Sequence, residues 1–371
     1  MIRYANIIYL QILRAGLNDP GRAADASQML TEEARRVTAA LNDEERFSLT
    51  RPSGGFTAAC ADRVEELTAL VAPMVEGAAE LGARGTSSDV ALATQLVSSL
   101  AREGFASRGG VDLLIALRKL PAVHVMIAGA MGATATRNGQ MFAAFAAAPR
   151  LELYNRMLAV TSVLSPWDPF GPGWELPQFI VATREGGTVT NEVLAAYDAG
   201  TVRQIRSTPA SDLVRAALEP AGRRFTVGDP EFKELFHRTE VMIAATTIDT
   251  ERDNGGNDWS AQNWVGGHTA GERYAAEGLA HRMLAELETD GARWWPVAGG
   301  VFGGAHARAH AAMSTYVTMA VEAGKRRPPT HLRVHSEGES APGDALLRDD
   351  HRSDAIRSTS MTARRATFGR P

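Results

Sequence analysis

The sequence predicts a mainly α-helical protein: a multi-helix bundle in two packed helical subdomains, with at most one short β-hairpin and a disordered C-terminal tail. Three observations predict it. Apolar residues recur at helical spacing along most of the chain. Strand-type patterning is confined to one short stretch, and no alternation of strands with helices supports a parallel sheet. The chain has 371 residues, 44% of them hydrophobic, which is enough for a sizeable core.

The helices follow in order. Ile7, Ile8, Leu10, Ile12, Leu13 and Leu17 suit a buried N-terminal helix. The same run reads poorly as a signal peptide, because Tyr4, Asn6, Gln11 and Arg14 interrupt it and no small-residue cleavage site follows. Leu30, Ala34, Val37 and Leu41 make a stripe, with Thr31 as N-cap and Glu32 and Glu33 in the first turn. Val64, Leu67, Val71, Met74, Ala78 and Leu81 share one face of the next helix, with a kink expected at Pro73. Ser88 or Asp89 caps a helix bearing Ala93, Leu96, Val97 and Leu100.

Leu113 to Ala135 is the most apolar stretch. Arg118 and Lys119 split it, and the part after Pro121 is about 16 residues against the roughly 20 needed to cross a bilayer. It therefore reads as a central core helix. Its small residues Ala122, Ala128, Gly129, Ala130, Gly132 and Ala133 let neighbours approach closely. Helices continue over Ser211–Leu218, from the strong start Asp229-Pro230-Glu231, over Thr269–Leu287 and over Ala305–Ala323. Phe232, Leu235, Phe236, Thr239, Ile243 and Thr246 form the buried face of the second of these. The one defensible hairpin is Phe179–Thr183 with Thr188–Thr190.

The loop Ser165–Trp174, dense in Pro, Gly and aromatics, separates a bundle over 1–165 from one over 166–324. Asp249 to Trp264 reads as a mobile polar loop. From about Lys325 the apolar periodicity stops, and residues 325–371 read as disordered. The basic stretch Arg357–Arg370 reads as solvated tail rather than as a partner contact.

Composition narrows the function. A net charge of −4 offers no basic field, so no nucleic-acid role is expected of the folded part. The single cysteine, Cys60, forms no intrachain disulfide and fits a reducing, cytoplasmic setting; it reads as a small buried hydrophobe. No membrane association is expected.

The candidate sites are few. His306 and His310 lie four apart on one helix, so both can face one metal, with a third ligand from His268, Glu272 or His237. HExxH is not met, because Ala307 stands where its glutamate belongs. Gly299 to Gly304 precedes a helix, and such turns cradle phosphate with backbone N–H groups. The P-loop lysine and hydroxyl residue are missing, so a tight helix-entry turn explains it better. Asp249, Glu251, Asp253 and Asp258 resemble a calcium loop, but its sixth and twelfth positions hold Asn254 and Ser260. Glu240 sits in an apolar helix, where a buried charge is usually paired structurally. No catalytic residue is assigned and no cofactor is expected. A ligand pocket, if formed, gathers Gly300, Gly303 and Gly304 with His268 and the tryptophans Trp264, Trp294 and Trp295.

Three segments in order carry a family resemblance: Leu120-Pro121-Ala122-Val123-His124-Val125-Met126-Ile127-Ala128-Gly129, then Phe236 to Ala245, then Trp294-Trp295-Pro296 with Gly300-Val301-Phe302-Gly303-Gly304. Together they resemble the helical C-terminal region of bacterial multidomain TIR- or sirtuin-type defence and signalling proteins, over roughly residues 55–325. That resemblance implies a sensing or scaffolding role with a protein partner, in antiphage defence or signalling. It implies no chemistry, because the region carries no catalytic residues to transfer.

Overall fold

The apolar run that begins at Pro121 is the axis of the structure. A computed structural model describes residues 2–52, 55–173, 176–185, 209–255, 260–264 and 278–326. The chain is mainly helical, with a single two-stranded antiparallel sheet among the described residues. The expected hairpin strand Thr188–Thr190, the helical stretch 269–277 and all but the first two residues of the expected tail lie outside the described residues.

Helices α1 (Ile2–Asn18), α2 (Ala23–Leu41) and α3 (Phe56–Arg84) come first. The stripe expected on α2 is buried, as is the whole Val64-to-Leu81 stripe of α3. Thr31 is not a cap: the helix starts eight residues earlier, and the Thr31 hydroxyl donates to the Ser27 carbonyl. On α1, Leu10 and Leu13 are buried, but Ile8 and Ile12 face outward. A capping box at Thr86 and Asp89 leads into α4 (Val90–Gly104), which buries Ala93, Leu96, Val97 and Leu100.

After α5 (Asp112–Leu117), helix α6 (Leu120–Thr136) buries every residue from Leu120 to Ala133. A helix apolar on all sides must be covered on all sides, and α6 packs against α3, α4 and α7 (Gly139–Phe142), together with α9 (Pro209–Gly222) and α10 (Asp229–Asp253). By length and composition alone Asp112–Thr136 would cross a membrane, yet 83% of its apolar window is buried inside the protein. One continuous core runs across residue 165, and the described helices belong to one compact unit.

The only strands described are β1 (Arg150–Leu153) and β2 (Arg156–Ala159), paired with Leu151 opposite Leu158. They replace the hairpin expected further on. Phe179–Thr183 lies inside α8 (Leu176–Glu185), which buries Leu176, Phe179 and Ile180. Three, four and one residue spacings put those side chains on one helical face, and packing outweighs the β-propensity of the run.

The expected loop from Asp249 is also corrected. Asp249 to Asp253 are the last turn of α10, and Ser260–Trp264 is a short 3-10 turn that buries Trp264. The Trp264 indole donates to the Thr161 carbonyl at 3.1 Å. The described residues end with α11 (Leu279–Asp290), α12 (Trp295–Ala298) and α13 (His306–Arg326).

Candidate functional site

The glycine-rich turn has a backbone explanation. Gly300, Gly303 and Gly304 have φ of 89°, 62° and 71°, values that L side chains rarely adopt. Gly299 lies against α7: a Cβ there would fall 2.3 Å from the Gly139 Cα. The turn carries Phe302 beneath Trp294, with ring centroids 6.2 Å apart and nearly parallel. Thus the glycines close a turn and admit a neighbouring backbone.

The histidines of the pair are close, and one of them is engaged elsewhere. His306 and His310 have ring centroids 6.2 Å apart on α13. His310 Nε2 lies 3.3 Å from a Glu288 carboxylate oxygen on α11. Among the described residues no group of three or more His, Cys, Asp or Glu is placed to hold a metal. His268 and Glu272 lie outside the described residues, and His237 is buried on α10. Of the acids that resemble a calcium loop, Asp249 and Asp253 serve an arginine instead, and Asp258 lies outside the described residues. Arg308 of α13 donates to both Asp249 oxygens at 2.8 and 2.9 Å and also pairs with Asp253.

The tryptophans divide. Trp264 belongs to the core. Trp294 and Trp295 line a cleft of about 310 Å³ with Phe225, Arg137, Glu231 and Arg238. Gly300, Gly303 and Gly304 are not among its walls. Trp294 is 1% exposed, and its indole Nε1 has no hydrogen-bond partner among the described residues. The Arg238 guanidinium is bidentate on Glu286 at 2.5 and 3.0 Å and touches Glu234 at 3.2 Å. Arg137 caps α6 in the left-handed region at φ 57° and is exposed.

Two titratable groups lie deeper. Glu240 is fully buried on α10 and accepts a 2.5 Å hydrogen bond from the Ser211 hydroxyl. Burial pushes its carboxyl up to about 7, against the opposing pull of His237 and Ser211. His124, in the middle of the apolar run, is pushed down to about 3 by burial alone. Cys60 is buried, and burial raises its thiol to about 11, far from a reactive thiolate.

Among the described residues the hairpin presents the most exposed large aromatic side chain. Tyr154 and Asn155 have φ of 53° and 60°, a two-residue turn with both central residues left-handed. Asparagine and glycine suit that turn, whereas a tyrosine at positive φ is strained. Tyr154 is 94% exposed and Met157 60%, while Leu151 and Ala159 root the strands in the core. Strand β1 packs against α4. The sequence shows the alternation around Leu151 and Leu153, but Tyr-Asn lacks the usual turn signature, so the hairpin went unpredicted. The cleft joins residues from four separate elements, for which no local signal exists.

No protein-family model, curated protein or solved structure matches the chain.

Proposed function

We propose that the chain is a non-catalytic helical sensor or scaffold that engages a protein partner, as a component of a bacterial cytoplasmic defence or signalling system. One observation carries the reading: Tyr154 is held out at 94% exposure in a backbone conformation that costs a tyrosine free energy. A strained, solvent-facing aromatic gains nothing inside its own fold, and tyrosine is enriched among residues that anchor interfaces. Met157 on the following strand extends the same apolar tip.

A photo-crosslinking amino acid placed at position 154 in native cells tests it. The expected result is one reproducible crosslinked protein, lost when the probe sits at exposed Glu45 instead. Crosslinking to nothing, or equally from both positions, overturns the reading.

A second reading, a small-molecule binder, is favoured by the aromatic walls of the cleft, Phe225, Trp294 and Trp295, beside Arg137. Its ligand would carry an apolar ring for those walls and a negative charge for Arg137. Small aromatic carboxylates titrated against tryptophan fluorescence test it, with Arg137→Ala expected to weaken binding about tenfold. In its metal-dependent form His306 and His310 are the ligands, and elemental analysis of the purified chain without stoichiometric metal removes that form.

A further inference from the structure

The loop after α2, residues 42–50, meets the loop between α4 and α5 across a pocket of about 410 Å³, within the size range of small-molecule sites. The Val111 N–H ties the two loops by donating to the Leu49 carbonyl at 2.9 Å. Two arginines line the pocket. Arg118 is 4% exposed and donates to the Leu41 carbonyl at the end of α2 and to Glu103 of α4. Arg108 donates to the same Glu103 oxygen at 3.1 Å and to the Asn42 side-chain oxygen.

One carboxylate oxygen thus serves two guanidinium groups, and Glu103 is the one acid that pairs with either arginine among the described residues. The carbonyl end of α2 answers part of the Arg118 charge. Asn42 is neutral and does not do the same for Arg108. Burial and the neighbouring Arg108 charge hold Arg118 below its ordinary pKa. The pocket therefore carries a positive charge that its own groups do not balance.

That charge is within reach of a ligand. Arg108 makes both of its hydrogen bonds through Nη2. Its Nη1 makes none among the described residues and keeps solvent-accessible surface, the side chain as a whole being 26% exposed. The Ser48 and Thr50 hydroxyls, also on the wall, lie 2.8 Å apart, and the Thr50 N–H donates to the Ser48 hydroxyl oxygen at 3.3 Å. One hydroxyl donates to the other, so one hydroxyl proton of the pair is left to donate elsewhere. Half-buried Leu49 adds an apolar wall. Glu44 stands at the exposed lip and pairs with neither arginine.

The arrangement selects a ligand class. A cation is repelled by both guanidinium groups, and a neutral molecule leaves the surplus charge unanswered. We propose that this pocket binds a small organic molecule carrying one oxyanion, which accepts from Arg108 Nη1 and from the Ser48–Thr50 hydroxyl pair. The site is distinct from the hairpin tip and from the cleft at Arg137, and it rests on neither reading of those features.

The test uses the full chain and four probes built on one butyl chain: butyrate, butyl phosphate, butanol and butylammonium. Ligand-detected NMR in an amine buffer measures their binding. At least one of the two oxyanions is expected to bind saturably at a single site, and the tighter of them names the head group. Butanol is expected to bind at least about tenfold more weakly, and butylammonium more weakly still. Arg108→Gln is expected to weaken oxyanion binding about tenfold, whereas Arg102→Gln, which removes an exposed charge of α4 outside the pocket wall, leaves it unchanged. Glu44→Gln is expected to tighten it about threefold by removing a repelling charge from the lip. If Arg108→Gln does not fold, the head-group order and the Glu44→Gln shift decide. Absence of saturation by both oxyanions, or butanol or butylammonium binding as tightly as they do, overturns the proposal. So does oxyanion binding that Arg108→Gln leaves intact, that Arg102→Gln weakens equally, or that Glu44→Gln fails to tighten.

Discussion

Gly132 of α6 rests directly on the backbone of Ala79 in α3: a Cβ at Gly132 would fall 2.0 Å from the Ala79 carbonyl oxygen. The contact is mutual, since a Cβ at Gly82 would fall equally close to the Gly129 carbonyl oxygen. No side chain can swing away from such a clash, because backbone lies on both sides. Gly132→Ala is therefore expected to force the two helices apart, at a cost of roughly 3 kcal/mol. For a chain of this size that lowers Tm by about 4 °C. Gly109→Ala, which meets nothing within 4 Å, should change stability by less than about 0.5 kcal/mol. Thermal unfolding of the two variants side by side checks the contrast.

Glu80 ties three segments together. Its carboxylate is 1% exposed and pairs with Arg14 of α1, with Arg84 one turn along α3 at 2.9 Å, and with Arg224 after α9 at 3.6 Å. Burial pushes the carboxyl up, but the hydrogen bonds and charges of Arg14 and Arg84 outweigh it and hold the carboxyl below its ordinary range. A depressed folded-state pKa means stability that is present above the unfolded carboxylate range, about 4.3, and lost as pH falls through the folded value. Glu80→Gln should destabilise the chain by about 2 kcal/mol at pH 7, the half-exposed arginines moderating the loss. The difference between the two proteins should close toward pH 3. A urea-derived difference that stays constant across that range would remove the charge cluster as its cause.

Glu240 predicts the opposite sign. Its folded-state carboxyl is raised to about 7 by burial, so between the unfolded value near 4.3 and that point the folded state holds a proton the unfolded chain has released. Wild-type stability should fall across that interval through this group, and level off above it. Glu240→Gln keeps an acceptor for the Ser211 hydroxyl but has nothing to ionise. Relative to wild type, the variant should gain on the order of 3 kcal/mol between pH 4 and pH 8. Denaturation curves for both proteins at the two pH values measure it directly.

What could be read in advance was whatever a single helix reports about itself. Leu67, Val71 and Met74 are spaced for one face, and the all-apolar run after Pro121 can only be stable if covered on every side. Thr31 shows the limit of a cap signal. Its hydroxyl serves a helical carbonyl as readily as an N-terminus, and only the residues before it decide which. Phe179 and Ile180 show the limit of propensity, since packing chose the helix. Asp249 looked like loop because acids are common in loops, yet its partner, Arg308, lies far along the chain. Trp294, Phe225 and Arg137 meet only through tertiary packing, so their cleft leaves no trace in local pattern.

Tyr154 separates fold from function most cleanly. Asparagine accepts the left-handed conformation that Tyr154 adopts, and it favours the first position of this turn. The tyrosine ring is almost wholly in water, so removing it forfeits little packing. Tyr154→Asn should therefore raise stability by about 0.5–1 kcal/mol, while abolishing capture of the partner by the purified chain. A variant stabilised but silent in capture would show a residue retained against the interests of its own turn. A variant of lower Tm would mean that the ring supports the hairpin, and the strain argument for an interface at this tip would fail.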